Sequence, residues 1–81
     1  MWEGMSVEDA AANLIRSHLG TLNRHLSTSM RLHNVPKEST KQLAATLSVE
    51  VDTIASTYRD SEIVLKWQKK FREYCDHHRL L

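Results

Sequence analysis

Residues 57–74 read TYRDSEIVLKWQKKFREY, and the reading of this stretch decides the fold. It holds Tyr58, Trp67, Phe71 and Tyr74, four of the five aromatic side chains, with only Trp2 outside it. Aromatic rings carry more buried apolar area than other side chains, so the largest packing contributions are expected here. Ile63, Trp67, Phe71 and Tyr74 recur at helical spacing. No Gly or Pro separates them from the preceding apolar run of Leu43, Leu47, Val51, Ile54 and Tyr58, so phase has to decide between one helix and two. Continued past Tyr58 at about 3.6 residues per turn, the earlier run points to Glu62, Leu65 and Lys69. The strong apolar positions are displaced from these by nearly half a turn. A straight helix would aim its two halves in opposite directions. The chain is therefore expected to turn at Arg59-Asp60-Ser61, with Asp60 or Ser61 capping a new helix.

Working outward, the last helix is expected over about 62–78, with Glu62 and Lys66 as a favourable i,i+4 pair and His77, His78 and Arg79 at its negative end. The preceding helix is expected over about 37–58, starting near Pro36 or at the capping box Ser39-Thr-Lys-Gln42. Its segment Ser48-Val-Glu-Val-Asp-Thr53 is poor in helix formers and needs tertiary packing. A first helix over about 7–26 is marked by Ser6 as N-cap, by Glu8 and Asp9 in the positive first turn, and by the stripe Ala11, Ile15, Leu19, Leu22 and Leu26, which Leu14 widens. Gly20 in its interior suggests close approach of another helix. Residues 27–36, STSMRLHNVP, read as a connecting loop, with Met30 and Leu32 tucked onto the core. Residues 1–5 read as a flexible lead-in on which Trp2 could dock. The expected fold is all-α, a small three-helix bundle forming a single helical domain over 1–81.

Composition bounds the function. A chain of 81 residues buries only about 60% of its unfolded surface, so pairing with another copy or a partner is a natural way to add stability. Lys and Arg number 11 against 10 for Asp and Glu, which leaves no whole-molecule field for nucleic acid or membrane. A single cysteine, Cys75, excludes an internal disulfide and fits an intracellular compartment. No apolar run approaches the roughly 18 residues that span a bilayer, and the amino end lacks the basic-then-apolar form of a signal peptide.

Thr40-Lys-Gln-Leu-Ala44-Ala-Thr-Leu47-Ser48-Val49 followed by Ile54 has the spacing of a DNA-binding helix-turn-helix, but Glu50 and Asp52 would face the phosphates. The basic run Lys66, Lys69, Lys70 and Arg72 is a second route to nucleic acid, diluted by Glu62, Glu73 and Asp76. Cys75, His77, His78, His18 and His25 lack any ligand pair at metal-binding spacing, so no metal and no cofactor are expected. With no Gly-rich phosphate loop and no nucleophile beside a base, no enzyme is expected. Val49, Val64 and Leu65 lie off the main stripes and are candidates for exposed apolar contact.

Tyr58-x-Asp60-x-Glu62 followed by Trp67 and a basic-apolar run resembles the helical C-terminal domain of chromodomain helicases. Arg59-Asp60 opening a helix with Ile63, Val64, Trp67 and Phe71 also resembles the final helix of KIX domains in transcriptional coactivators. Either resemblance covers the last third to half of the chain. The first implies a chromatin-associated helical domain, and the second implies three helices that bind activation-domain helices in a groove between the first and last. Both imply a nuclear location. The reading favoured by the sequence is a non-enzymatic protein-interaction module that binds an amphipathic helix of a partner or another copy of itself, and the resemblances imply a transcription or chromatin adaptor. Its surface is expected on the first and last helices, with Val64, Leu65, Trp67, Phe71, Leu14 and His18 as partner-binding residues. The alternative is a nucleic-acid-binding domain that uses segment 40–58 or Lys66, Lys69, Lys70 and Arg72.

Overall fold

The structure, a computed structural model, describes residues 6–81. The lead-in over 1–5 and the docking of Trp2 lie outside the described residues. Three helices follow one another, α1 (Val7–His33), α2 (Glu38–Thr57) and α3 (Glu62–His77), with no strand among the described residues. Every pair of helices is in contact, which makes a three-helix bundle. The molecule measures 42 × 24 × 16 Å. The long axis is that of α1, whose 27 residues extend about 40 Å at the α-helical rise.

α1 begins where the sequence places it. The Ser6 hydroxyl accepts the Asp9 N–H at 3.1 Å, and Glu8 and Asp9 occupy the positive first turn. It ends seven residues later than expected, and the loop over 27–36 contracts to a short connection. The reason is Ser29. Serine weakens a helix when its hydroxyl competes for nearby backbone groups. Here the hydroxyl, buried in the bundle, donates to the Val35 carbonyl at 2.8 Å and accepts the Lys37 N–H at 2.7 Å. The competing group is thus occupied across the corner, and α1 continues to Asn34. Asn34 adopts φ 58° and bonds its N–H to the Met30 carbonyl. The buried positions continue as Leu22, Leu26 and Ser29, which turns Met30 and Leu32 outward, 42% and 65% exposed, rather than onto the core. Gly20 does not mark a close helix approach, since a Cβ built there meets nothing within 4 Å.

α2 starts from Lys37, whose side chain makes no cap bond, so the Ser39 capping box is not used. The Lys37 N–H held by Ser29 sets the start before Ser39 is reached. Thr53 and Thr57 return their hydroxyls to the carbonyls of Val49 and Thr53, at 2.9 and 3.1 Å, which satisfies both groups within a segment of low helix propensity. α2 is one continuous helix through Ser48, so segment 40–58 contains no helix-turn-helix.

The reversal after α2 is present. The Ser61 N–H bonds the Tyr58 carbonyl at 2.9 Å, and the Ser61 hydroxyl accepts the Val64 N–H at 3.4 Å to cap α3. The apolar face of α3 keeps Phe71 at its centre but is turned from expectation, so that Val64 replaces Ile63 and Cys75 replaces Tyr74 in the core. Val64, Phe71 and Cys75 are fully buried, Ile63 is 39% exposed, and Trp67 and Tyr74 are half-buried at the edge. Val64 is therefore a core residue and not an off-stripe one. The half-turn displacement survives this correction: from the buried Ala55 to the buried Val64 is nine residues, about 2.5 turns. α3 closes with Arg79 at φ 55°, the Arg79 N–H on the Asp76 carbonyl and the Leu80 N–H on the Cys75 carbonyl, the paired bonds of a Schellman motif. Leu80 is buried beside Cys75 as that motif favours.

The core combines Ala11, Ala12, Ile15, Leu22 and Leu26 from α1 with Ala44, Leu47, Val51 and Ala55 from α2 and with Val64, Phe71, Cys75 and Leu80. Phe71 is the largest fully buried side chain. α2 and α3 are tied at the surface by Asp52, whose Oδ1 accepts from Gln68 Nε2 at 2.9 Å and from Arg72 Nη2 at 3.0 Å.

Candidate functional site

Alanines at Ala11, Ala44 and Ala55 let the helices approach without filling the outer edges of their seams. Between α1 and α2 the outer edge stays open. One concavity of about 330 Å³ is lined by Val7, Ala10, Ala11, Leu14, Ile54 and Tyr58. A second, of about 260 Å³, is lined by Leu14, His18, Val49, Glu50, Thr53 and Ile54. They share Leu14 and Ile54, so together they form one groove along the α1–α2 seam. Its apolar walls are substantially solvent-facing, with Val7 and Val49 each 66% exposed and Leu14 48% exposed. From Val7 to His18 the groove follows α1 for eleven residues, about 16 Å or three helical turns. The Val7 end lies beside Glu8 and Asp9 in sequence. At the other end His18 Nε2 stands 3.9 Å from Glu50 Oε2, an ion pair when the imidazole is protonated.

The residues singled out from the sequence are distributed differently. Leu14 and His18 line this groove. Val64 and Phe71 are fully enclosed by the core and present nothing to a partner in this fold. Leu65 borders a separate concavity of about 250 Å³ with Ala55, Ser56, Arg59 and Gln68. Trp67 sits half-buried beneath two cations, with Arg16 Cζ at 5.9 Å and Lys70 Nζ at 5.6 Å from its ring centroid. Its neighbour Tyr74 donates its hydroxyl to Asn23 Oδ1 at 2.9 Å, which ties α3 to α1. The apolar groove thus opens between α1 and α2 rather than between α1 and α3. Val7 and Ala10 join the site without having been singled out, Ile54 and Tyr58 enter it from the apolar stripe read for the second helix, and Val49 lines it as an exposed apolar residue. Val7, Ala10, Leu14 and His18 form a second stripe at steps of three, four and four beside the core stripe of α1, which is the signal that marks them.

The cations named for nucleic acid are neighbours on α3 at steps of three and four, but two of them have other contacts. Arg72 is engaged by Asp52, Lys70 covers Trp67, and Lys66 and Lys69 are exposed on the intervening surface. Burial holds the Cys75 thiol well above its ordinary value, to about 11, and the neighbouring Asp76 charge adds to this. The thiolate is the nucleophile and ligand form, so Cys75 at neutral pH is a packing group. Burial also raises the Tyr74 phenol, with the Cys75 charge acting in the same direction. The ring of His78 packs on Tyr74 at 4.5 Å and on His77 at 4.8 Å. Among the described residues no group of three or more His, Cys, Asp or Glu could hold a metal ion. No helix among them is long and apolar enough to cross a membrane.

No family model, curated protein or solved structure matches this chain.

Proposed function

We propose that this chain is a protein-interaction module that receives one amphipathic helix of a partner protein in the α1–α2 groove. The observation that carries the reading is the continuity of the two concavities through Leu14 and Ile54, which gives an apolar trough about three helical turns long. A helix laid in such a trough presents apolar anchors at i, i+3 or i+4 and i+7. Among the described residues the one carboxylate that lines the groove is Glu50, beside His18, and Glu8 and Asp9 adjoin Val7 in sequence, as Arg59 adjoins Tyr58. The complementary partner helix therefore carries an apolar stripe flanked by Lys or Arg. The resemblance of the last third to half of the chain to chromodomain-helicase or KIX domains favours a nuclear setting, as a transcription or chromatin adaptor, with the groove on α1 and α2 and not on the first and last helices that the KIX likeness implies.

The test uses a synthetic amphipathic peptide with Leu at helical spacing and Lys at both ends, followed by amide NMR. The amides of Ala10, Leu14, Val49 and Ile54 are expected to shift together and to saturate. Leu14→Glu is expected to weaken binding at least about tenfold, equivalent to about 1.4 kcal/mol, without lowering the melting temperature. Shifts confined to Lys66 and Lys69, or equal binding by Leu14→Glu, would overturn the reading. Concentration-dependent sedimentation without peptide would instead assign the groove to a second copy.

A further inference from the structure

The corner where α1 hands over to α2 holds a second concavity, distinct from the groove and at the other end of α1. Its volume is about 400 Å³, and its lining is chemically one-sided. Arg24, His25, His33 and Lys37 supply every ionisable group, and no carboxylate takes part. Of the remaining six lining residues, five carry hydroxyls, among them Thr21, Thr28 and Ser39, and Leu32 is the one apolar member. We propose that this cleft binds a phosphate monoester.

The chemistry selects the ligand. Arg and Lys are donors without acceptors, and hydroxyls donate as readily as they accept, so a group with several acceptor oxygens and a net negative charge fits the whole lining. A monoester offers three terminal oxygens and up to two charges at one point. A nucleic-acid backbone instead spreads single charges along a line and needs a basic track, whereas Arg24, His25, His33 and Lys37 are gathered around one concavity. Leu32 in the lining offers an apolar contact to the organic portion of an ester.

The arms of the site are held before any ligand arrives. Ser29, at the base of the corner, uses its hydroxyl on both Val35 and Lys37, which fixes the backbone that carries Lys37 relative to α1. Thr21, Arg24, His25, Thr28 and Leu32 follow one face of α1, the last four at three, four, seven and eleven residues from the first. Arg24 spends only one long contact, 3.5 Å to the Thr21 hydroxyl. The remainder of its five-donor fork is free for a bidentate contact. The positive end of α2 and the negative end of α1 meet at this corner and oppose each other, so the proposal rests on the side chains and not on a helix terminus.

The test is an amide and imidazole NMR titration of the whole chain with O-phosphoserine, inorganic phosphate and unphosphorylated serine. O-phosphoserine is expected to saturate shifts of Arg24, His25, His33 and Lys37, serine to give none, and inorganic phosphate to bind the same residues more weakly. Arg24→Ala and Lys37→Ala are each expected to weaken O-phosphoserine binding by about tenfold, and Lys66→Ala is expected to leave it unchanged. Both cleft residues are exposed, so unchanged melting temperatures will separate lost binding from lost folding. Shifts that climb linearly over all surface cations, or tighter binding of a short DNA duplex at the same residues, would overturn the proposal. The residues tested do not line the apolar groove, so failure here leaves the interaction reading untouched, and the converse also holds.

Discussion

At the scale of single residues, Cys75 shows how burial sets chemistry. The side chain lies in the core beside Phe71 and Leu80, where an ionised sulfur would lose its hydration, so the neutral thiol is favoured. A group whose folded pKa is raised in this way contributes stability below its unfolded value, and that stability is lost as pH rises through the folded value. For Cys75 the window runs from 9.0 to about 11. Across it the wild-type protein is expected to lose on the order of 2 kcal/mol relative to Cys75→Ala, at no more than about 1.4 kcal/mol per pH unit. Urea unfolding at the two ends of the window measures this. Tyr74 titrates in the same direction but remains in both proteins, so equal losses would assign the alkaline weakness to Tyr74 and refute the role of Cys75. Trp67 is the contrasting case. Its ring was expected in the core and lies at the edge, where Arg16 and Lys70 stand over it.

At the scale of elements, the corner between α1 and α2 is held by one hydroxyl. Ser29 satisfies a carbonyl and an N–H from the connection at the same time, and both bonds are short. Ser29→Ala leaves both groups without their partner and is expected to cost about 1–3 kcal/mol, seen as a melting temperature lower by roughly 4–8 °C per kcal/mol. Faster hydrogen exchange at the Lys37 amide should accompany it. An unchanged Lys37 exchange rate would show that the corner is held by packing alone. The helix ends were unequally legible. Ser6 and Ser61 announce their caps by type and position, since a short polar side chain followed by an apolar run has few other local uses. The end of α1 was not legible, because Ser27-Thr28-Ser29 carries the composition of a loop. What keeps it helical is a partner six and eight residues away, at Val35 and Lys37.

At the scale of the molecule, the bundle divides its apolar residues between a closed core and an open seam, and charge introduced into the two should act differently. Val64→Glu places an unpaired carboxylate among Phe71, Cys75 and the inner face of α1. It is expected to cost more than about 4 kcal/mol and to leave the chain largely unfolded. Leu65→Glu, one residue on and 39% exposed, is expected to change stability by less than about 1 kcal/mol. Far-ultraviolet circular dichroism of the two variants tests the rotation of α3. Retained helicity in Val64→Glu would restore the face first read from the sequence. The ion pair between Arg72 and Asp52 is exposed on both sides and adds little to the bundle, about 0–1 kcal/mol, so the interior carries the stability.

The sequence by itself determined the number of helices, the position of the reversal at residues 59–61 and the general face each helix turns inward. These depend on short-range periodicity and on local cap chemistry, both of which are written along the chain. Only the tertiary structure decided which of two adjacent residues, Ile63 or Val64, enters the core. Adjacent helical residues point about 100° apart, so which of the two is enclosed depends on how α3 is seated against α1 and α2, and that is fixed only when the three helices meet. Tertiary structure also decided which seam stays open, since a groove is the space two helices leave between them. Leu14 and Ile54 are forty residues apart along the chain, and their meeting in one groove follows from the packing of α1 on α2.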